Sequence, residues 1–258
     1  MKQNSFISVI LTIACSLMFV ACSDWTEPTP VDYNPIFPDE QAPSLHEKYE
    51  QSLKEYKNRK HTLMLICFAN NPGTTLGEQD FLRSLPDSVD FVVLTNADNL
   101  SVYDKEDISK LKRTGTKFLY YKNLSEFYDQ CEETENLEEF KTKMNAALKN
   151  GESDEFDGYY VQFGRAGSMM HVDFFNEVTT AIREKLAAIG GPKANNGKLV
   201  FFDGIVTFTV DYSGRYEEPF IDLVDYFVDG QIVLLESSLE IKLNMSQPVG
   251  FYGKMPKE

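Results

Sequence analysis

Glu155-Phe156-Asp157-Gly158-Tyr159-Tyr160-Val161-Gln162-Phe163-Gly164 is the stretch from which the fold of this chain is read. An acidic turn leads into a run of aromatic and β-branched residues, and Gly164-Arg165-Ala166-Gly167 leads out of it. That pattern predicts a buried strand. Side chains alternate along a strand, so Tyr160, Gln162 and Gly164 share one face while Tyr159, Val161 and Phe163 share the other.

Strands and helices alternate on both sides of this stretch. Towards the N-terminus, Thr116–Tyr121 reads as a strand preceded by a helix at Lys105–Lys112. Asp90–Leu94 is a strand behind the turn Pro86-Asp87-Ser88, with a short helix at Glu78–Leu85 before it. The first strand is Thr62–Ala69, closed by Asn70-Asn71-Pro72-Gly73. Ser44-Leu45-His46-Glu47 has the form of a capping box opening a helix that runs to about Tyr56. Leu124–Leu148 reads as helix with a break near Glu133–Asn136. Towards the C-terminus, Ser168–Ile189 is a long helix stopped by Gly190-Gly191-Pro192, followed by strands at Lys198–Phe202 and Val224–Val228. Repeated strand–helix pairs imply parallel strands with helical crossovers, hence an α/β fold that is either a TIM-like (β/α) barrel or a doubly wound sheet. After Val228 only residues 229–258 remain, and a further strand–helix–strand unit needs about 30 residues or more. Gln231–Leu235 and Leu239–Met245 read as strands, so a barrel here is expected to be incomplete or closed by short strands.

The chain begins with an export signal. Lys2 precedes an apolar run, Phe6 to Val20, too short to span a membrane as a helix. Phe19-Val20-Ala21-Cys22 resembles a bacterial lipobox with Cys22 as the lipidated residue; Phe is atypical at its first position, and Cys15 is the alternative. Residues 1–21 are thus a lipoprotein signal, 22–43 a lipidated cysteine with a proline-rich tether, and 44–258 the folded domain, attached to a membrane without crossing it. Asp+Glu number 40 against Lys+Arg 25, a formal net charge of -15, which argues against nucleic acid as a partner. Cys67 and Cys131 are the cysteines outside the signal, and with Cys67 in a predicted buried strand they read as two separate packed thiols. His46, His61 and His171 lack metal-site spacing, and nothing in the sequence calls for a metal or cofactor.

The strand at Asp157 resembles the fourth barrel strand of glycoside hydrolase family 18, which carries Asp-Gly-x-Asp-x-Asp-x-Glu. Asp157 and Gly158 match its first two positions; Tyr160 and Gln162 stand at the next two Asp positions, and Gly164 stands at the catalytic Glu. In the family that Glu protonates the leaving oxygen, and the Asp two residues earlier steadies the substrate's own N-acetyl group, an exception to the two-carboxylate scheme. An ordered set extends the resemblance from about Tyr49 to Tyr226, to surface lipoproteins of Bacteroides type. Its members are Trp25-Thr26, Leu53-Lys54-Glu55-Tyr56-Lys57, Leu85-Pro86-Asp87-Ser88-Val89-Asp90, Gly115-Thr116-Lys117 and Val224-Asp225-Tyr226. One departure is Tyr120-Tyr121-Lys122-Asn123, where many members have a Ser-x-Gly-Gly turn.

The resemblance implies a barrel whose mouth binds an N-acetylglucosamine-containing oligosaccharide or N-glycan without cleaving it, since Gly164 has no proton to give. The expected ligand face gathers Phe68, Asn70, Asn71, Asn96, Asp98, Tyr121, Asp157, Tyr160, Gln162 and Asp203. The same residues also suit packing: Tyr160 and Gln162 as filling for the vacated centre, Asn70-Asn71-Pro72-Gly73 as a turn. Two other functions stay open. One is a hydrolase whose acid is Asp98, Asp203, Asp229 or Glu236; the other is a structural subunit of an outer-membrane glycan transporter complex at the cell surface.

Overall fold

The computed structural model describes residues 42–165, 170–204, 216, 218–229 and 251–253. The export signal, Cys22, most of the tether and the predicted strands Gln231–Leu235 and Leu239–Met245 lie outside the described residues. The chain divides into two units, Met1–Lys48 and Tyr49–Glu258. In the first, the described residues are Ala42 and the opening turns of helix α1 (Pro43–Asn58). Pro43 takes the first helical position, where its missing N–H costs nothing, so Ser44 lies inside the helix and the expected capping box does not open it.

The second unit is built on one sheet. Strands β1 (Leu65–Phe68), β2 (Phe91–Leu94), β3 (Lys117–Asn123), β4 (Gly158–Phe163), β5 (Leu199–Gly204) and β6 (Tyr226–Asp229) lie side by side in chain order, all parallel. Strand β7 (Phe251–Gly253) pairs antiparallel with β6. An unbroken sequential order belongs to a barrel and not to a doubly wound sheet, whose order reverses at a switch point. The architecture is an incomplete TIM-like (β/α) barrel. Helix α2 (Val102–Arg113) joins β2 to β3; α3 (Ser125–Cys131) and α4 (Leu137–Lys149) join β3 to β4, broken where the sequence places the break. Helix α5 (Val172–Ile189) and the short α6 (Gly191–Ala194) lead to β5. The segment expected as a helix at Glu78–Leu85 forms two short 3-10 turns instead, Glu78–Asp80 and Leu82–Ser84.

The two faces of the sheet carry different chemistry. Val92, Leu94, Phe118, Tyr120, Tyr159, Val161, Phe163, Val200 and Phe202 pack outward against Ile108, Phe140, Met144, Val178, Ile182 and Leu186 of the helices. Phe91, Val93, Leu119, Tyr160 and Phe201 point inward with half-buried Leu65, Tyr121, Leu199, Tyr226 and Val228. Cys131 is buried, but Cys67 is exposed, contrary to the expectation of a packed thiol. The reason is topological: β1 ends the sheet among the described residues, so its inner face has a neighbour on one side only.

Three aspartates fasten the sheet at the end opposite the mouth. Asp90, Asp157 and Asp225 each stand just before an even-numbered strand. Their carboxylates accept from the backbone N–H of Met64, Phe118 and Val200 respectively, each at 2.8 Å. Their own backbone N–H groups donate back to the carbonyls of the same three residues. Gly158 follows the middle clasp because β5 passes too close for a side chain: a Cβ there would lie 2.2 Å from the Leu199 carbonyl oxygen.

Candidate functional site

The C-terminal strand ends bring together four of the expected residues. Register sets Tyr121 beside Tyr160 and Gln162 beside Asp203. All four fall on the inner face by the period-two rule. Tyr121 Oη donates to Gln162 Oε1 at 2.6 Å, and Gln162 Nε2 donates to Asp203 Oδ2 at 3.0 Å. Tyr160 Oη donates to the same carboxylate oxygen at 2.9 Å. Burial raises the Tyr160 hydroxyl pKa, and the Asp203 carboxylate raises it further; burial and then Asp203 act likewise on Tyr121. Both phenols therefore remain protonated at neutral pH and serve as donors.

Access differs within the four. Tyr160 and Asp203 are each only 2 % exposed, whereas Tyr121 and Gln162 are half-buried. The Tyr160 ring stacks on Phe201 at 6.5 Å and leans on Tyr121 at 6.1 Å. Phe201 in turn stacks on Tyr226 at 4.4 Å. Tyr160 thus has no open face for a sugar ring and acts as part of the floor. Beyond β4, Gly164 is exposed; its N–H donates to Ser125 Oγ at 3.1 Å, and a Cβ built on it meets nothing within 4 Å.

The remaining expected residues are engaged elsewhere. Asn70, 2 % exposed, accepts from Asn96 N–H at 3.0 Å and donates to the Asn96 carbonyl at 3.1 Å, so the two tie the ends of β1 and β2 together. Asn71 sits in the left-handed region at φ 49 and donates to the Asn99 carbonyl at 2.8 Å. Phe68 packs against the helix-side core, because it alternates out of phase with the inner face. Asp98 accepts from Tyr120 Oη, from Lys122 Nζ at 2.7 Å and from Asn150 Nδ2 at 2.8 Å. Burial raises its pKa, but the hydrogen bonds from Asn150, Lys122 and Tyr120 outweigh that and hold the carboxyl below its ordinary range. Asp157 stands at the far end of β4, in the clasp described above and in an ion pair with Lys112 at 3.3 Å. It cannot reach a ligand at the mouth.

Residues outside the expected ligand face border the site. Lys122, Asn123 and Glu126 line a hollow of about 200 Å³ together with Asn96, Asp98 and Tyr121. Asn123 continues the inner-face alternation two residues past Tyr121, a signal that was available in the sequence. Ser125 gave none, since its role is set by the close approach of the Gly164 backbone. No group of three or more potential ligands places a metal ion among the described residues, and no described helix is long and apolar enough to cross a membrane.

A family model described as glycoside hydrolase family 18, BT1044-like, matches residues 26–183. Among solved structures, an endo-beta-N-acetylglucosaminidase from Cordyceps militaris in apo form is similar at 16% identity with a TM-score of 0.49, covering 76% of this chain and 66% of that one. BT1044, as a selenomethionine Glu-to-Gln variant, is similar at 19% identity with a TM-score of 0.51, covering 81% of this chain and 69% of that one. The chain therefore spans about two thirds of the length of each. No curated protein matches it.

Proposed function

The chain belongs to glycoside hydrolase family 18, BT1044-like, and from that premise we propose that it is a non-catalytic, lipid-anchored surface protein that captures glycans at its barrel mouth. One observation carries the reading: just past the end of β4, where the family motif calls for a catalytic Glu, Gly164 leaves open space. A group that must lie within hydrogen-bond reach of the leaving oxygen is missing, and position in space comes before pKa in general-acid catalysis. Of the four alternative carboxylates, the side chains of Asp229 and Glu236 lie outside the described ones, and the other two do not replace it. Asp98 is held ionised by three donors, and Asp203 is buried beneath Tyr160 and Gln162. The floor left behind is an amide and two phenols bonded, directly or through Gln162, to the buried Asp203, a fixed polar surface with no acid placed to protonate a leaving oxygen, which suits ground-state binding of a sugar.

Cys22 acylation would hold this site at the outer surface of the outer membrane, where capture can feed a glycan transporter complex. Membership of a glycoside hydrolase family points to glycans as the ligand class. The test is a glycan array probed with the soluble protein, followed by a product assay on every glycan that responds. Binding with no product is expected. Turnover by pure protein that disappears on replacing Asp98, Asp203, Asp229 or Glu236 would falsify the non-catalytic reading.

A further inference from the structure

The direction of the hydrogen bonds in the site determines what a ligand can offer it. Asp203 Oδ2 meets two donors, the Tyr160 hydroxyl and the Gln162 amide nitrogen, and so acts as the acceptor of the cluster. Its Oδ2 takes the Gln162 amide nitrogen at 3.0 Å, so the Gln162 amide is oriented with its oxygen towards β3. That oxygen takes the Tyr121 hydroxyl proton at 2.6 Å. Each bond in such a series polarises the next, and the series runs from the exposed end inward: Tyr121 to Gln162 to Asp203. The Tyr160 hydroxyl proton is also committed to Asp203, at 2.9 Å. Of the two half-buried members a ligand can touch, Tyr121 therefore presents an acceptor oxygen, and Gln162 retains a single uncommitted N–H.

We propose that this acceptor-terminated chain selects a glycan carrying a free 2-amino group, a hexosamine whose ammonium donates to Tyr121 Oη, over the same sugar in its N-acetylated form. An ammonium offers three donors and no acceptor, and a charge-assisted bond is about twice as strong as a neutral one. Within the Tyr121–Gln162–Asp203 chain an acetamide carbonyl, which needs a donor, finds only the one Gln162 N–H, and Lys122 Nζ, which also lines the hollow, is already paired with Asp98 at 2.7 Å. The net charge of -15 favours the cationic form at longer range, and ionic strength should weaken that part first. The inference rests on the reading of the barrel mouth as a glycan site.

The experiment measures affinity of the soluble protein for chitosan trisaccharide and for tri-N-acetylchitotriose, by calorimetry at pH 6 and low salt. The amine form should bind about tenfold tighter, one extra charged hydrogen bond. Tyr121→Phe, which keeps the ring and deletes the acceptor, should abolish the preference while leaving the melting temperature near that of the parent. Asp203→Asn, if it folds, should also reduce the preference by freeing the Gln162 amide to turn. Equal affinities, tighter binding of the acetylated form, or a preference that survives Tyr121→Phe would overturn the inference and leave glycan capture standing. If neither trisaccharide binds but the array finds another glycan, the inference alone fails. A silent array removes the glycan site and the inference together.

Discussion

Gly158 and Gly164 lie six residues apart on the family motif and have opposite tolerance for a side chain. Gly158→Ala would drive its Cβ to within 2.2 Å of the Leu199 carbonyl oxygen, in backbone that cannot move without parting β4 from β5. A cost of about 3 kcal/mol or more is expected from such overpacking, measurable by urea unfolding. Gly164→Glu meets open space and should change stability by no more than about 0.5 kcal/mol, as surface substitutions do. It should not create a hydrolase, because Gln162 carries no charge to steady the N-acetyl group; a product assay on N-acetylglucosamine oligomers checks this. Tyr121→Ala is expected to weaken glycan binding by on the order of 1 kcal/mol, the worth of an aromatic contact. Tyr160→Ala should mainly destabilise, by about 3 kcal/mol or more, since it empties a fully buried site. The sequence made the motif positions readable. It did not separate Tyr121 from Tyr160, because the difference lies in which ring the neighbouring Phe201 covers.

At the scale of elements, the clasps of Asp90, Asp157 and Asp225 explain why an acidic residue opens each even strand. The family motif puts Asp157 among the ligand-face residues, whereas in a parallel barrel the residue before a strand lies at the end away from the mouth, so strand direction places it in the clasp. The six strands and the break between α3 and α4 were legible as apolar runs and punctuation. The 3-10 turns at Glu78–Ser84 were not, because apolar spacing over so few residues does not distinguish them from a helix. The Asp90 clasp also carries a pH dependence. His61 Nδ1 faces the Arg59 carbonyl at 2.6 Å and Nε2 faces the Asp90 carboxylate at 2.8 Å, so both ring nitrogens meet acceptors. The Arg59 carbonyl and then Asp90 raise its pKa, against burial and Lys57. A raised folded pKa stabilises fully below the unfolded value of about 6.5 and fades as pH rises through the folded pKa. His61→Asn should therefore lower stability at pH 6, with the deficit shrinking towards alkaline pH. A deficit constant over that range would contradict the imidazolium.

For the molecule as a whole, the sequential parallel order of β1 to β6 follows from strand–helix alternation. What composition could not supply was the site, which depends on register between β3, β4 and β5. Location is a separate matter of the first residues: Cys22→Ala should leave the protein unprocessed or unattached, while Cys15→Ala should change neither, as fractionation and mass measurement of the mature chain will tell. The central claim is capture without cleavage. Its most direct measurement is equilibrium binding of an array-selected glycan to the purified protein, with the mass of the recovered glycan determined after prolonged incubation. Saturable binding with the glycan returned intact is the predicted result; a shortened glycan accumulating in proportion to protein and time would contradict it.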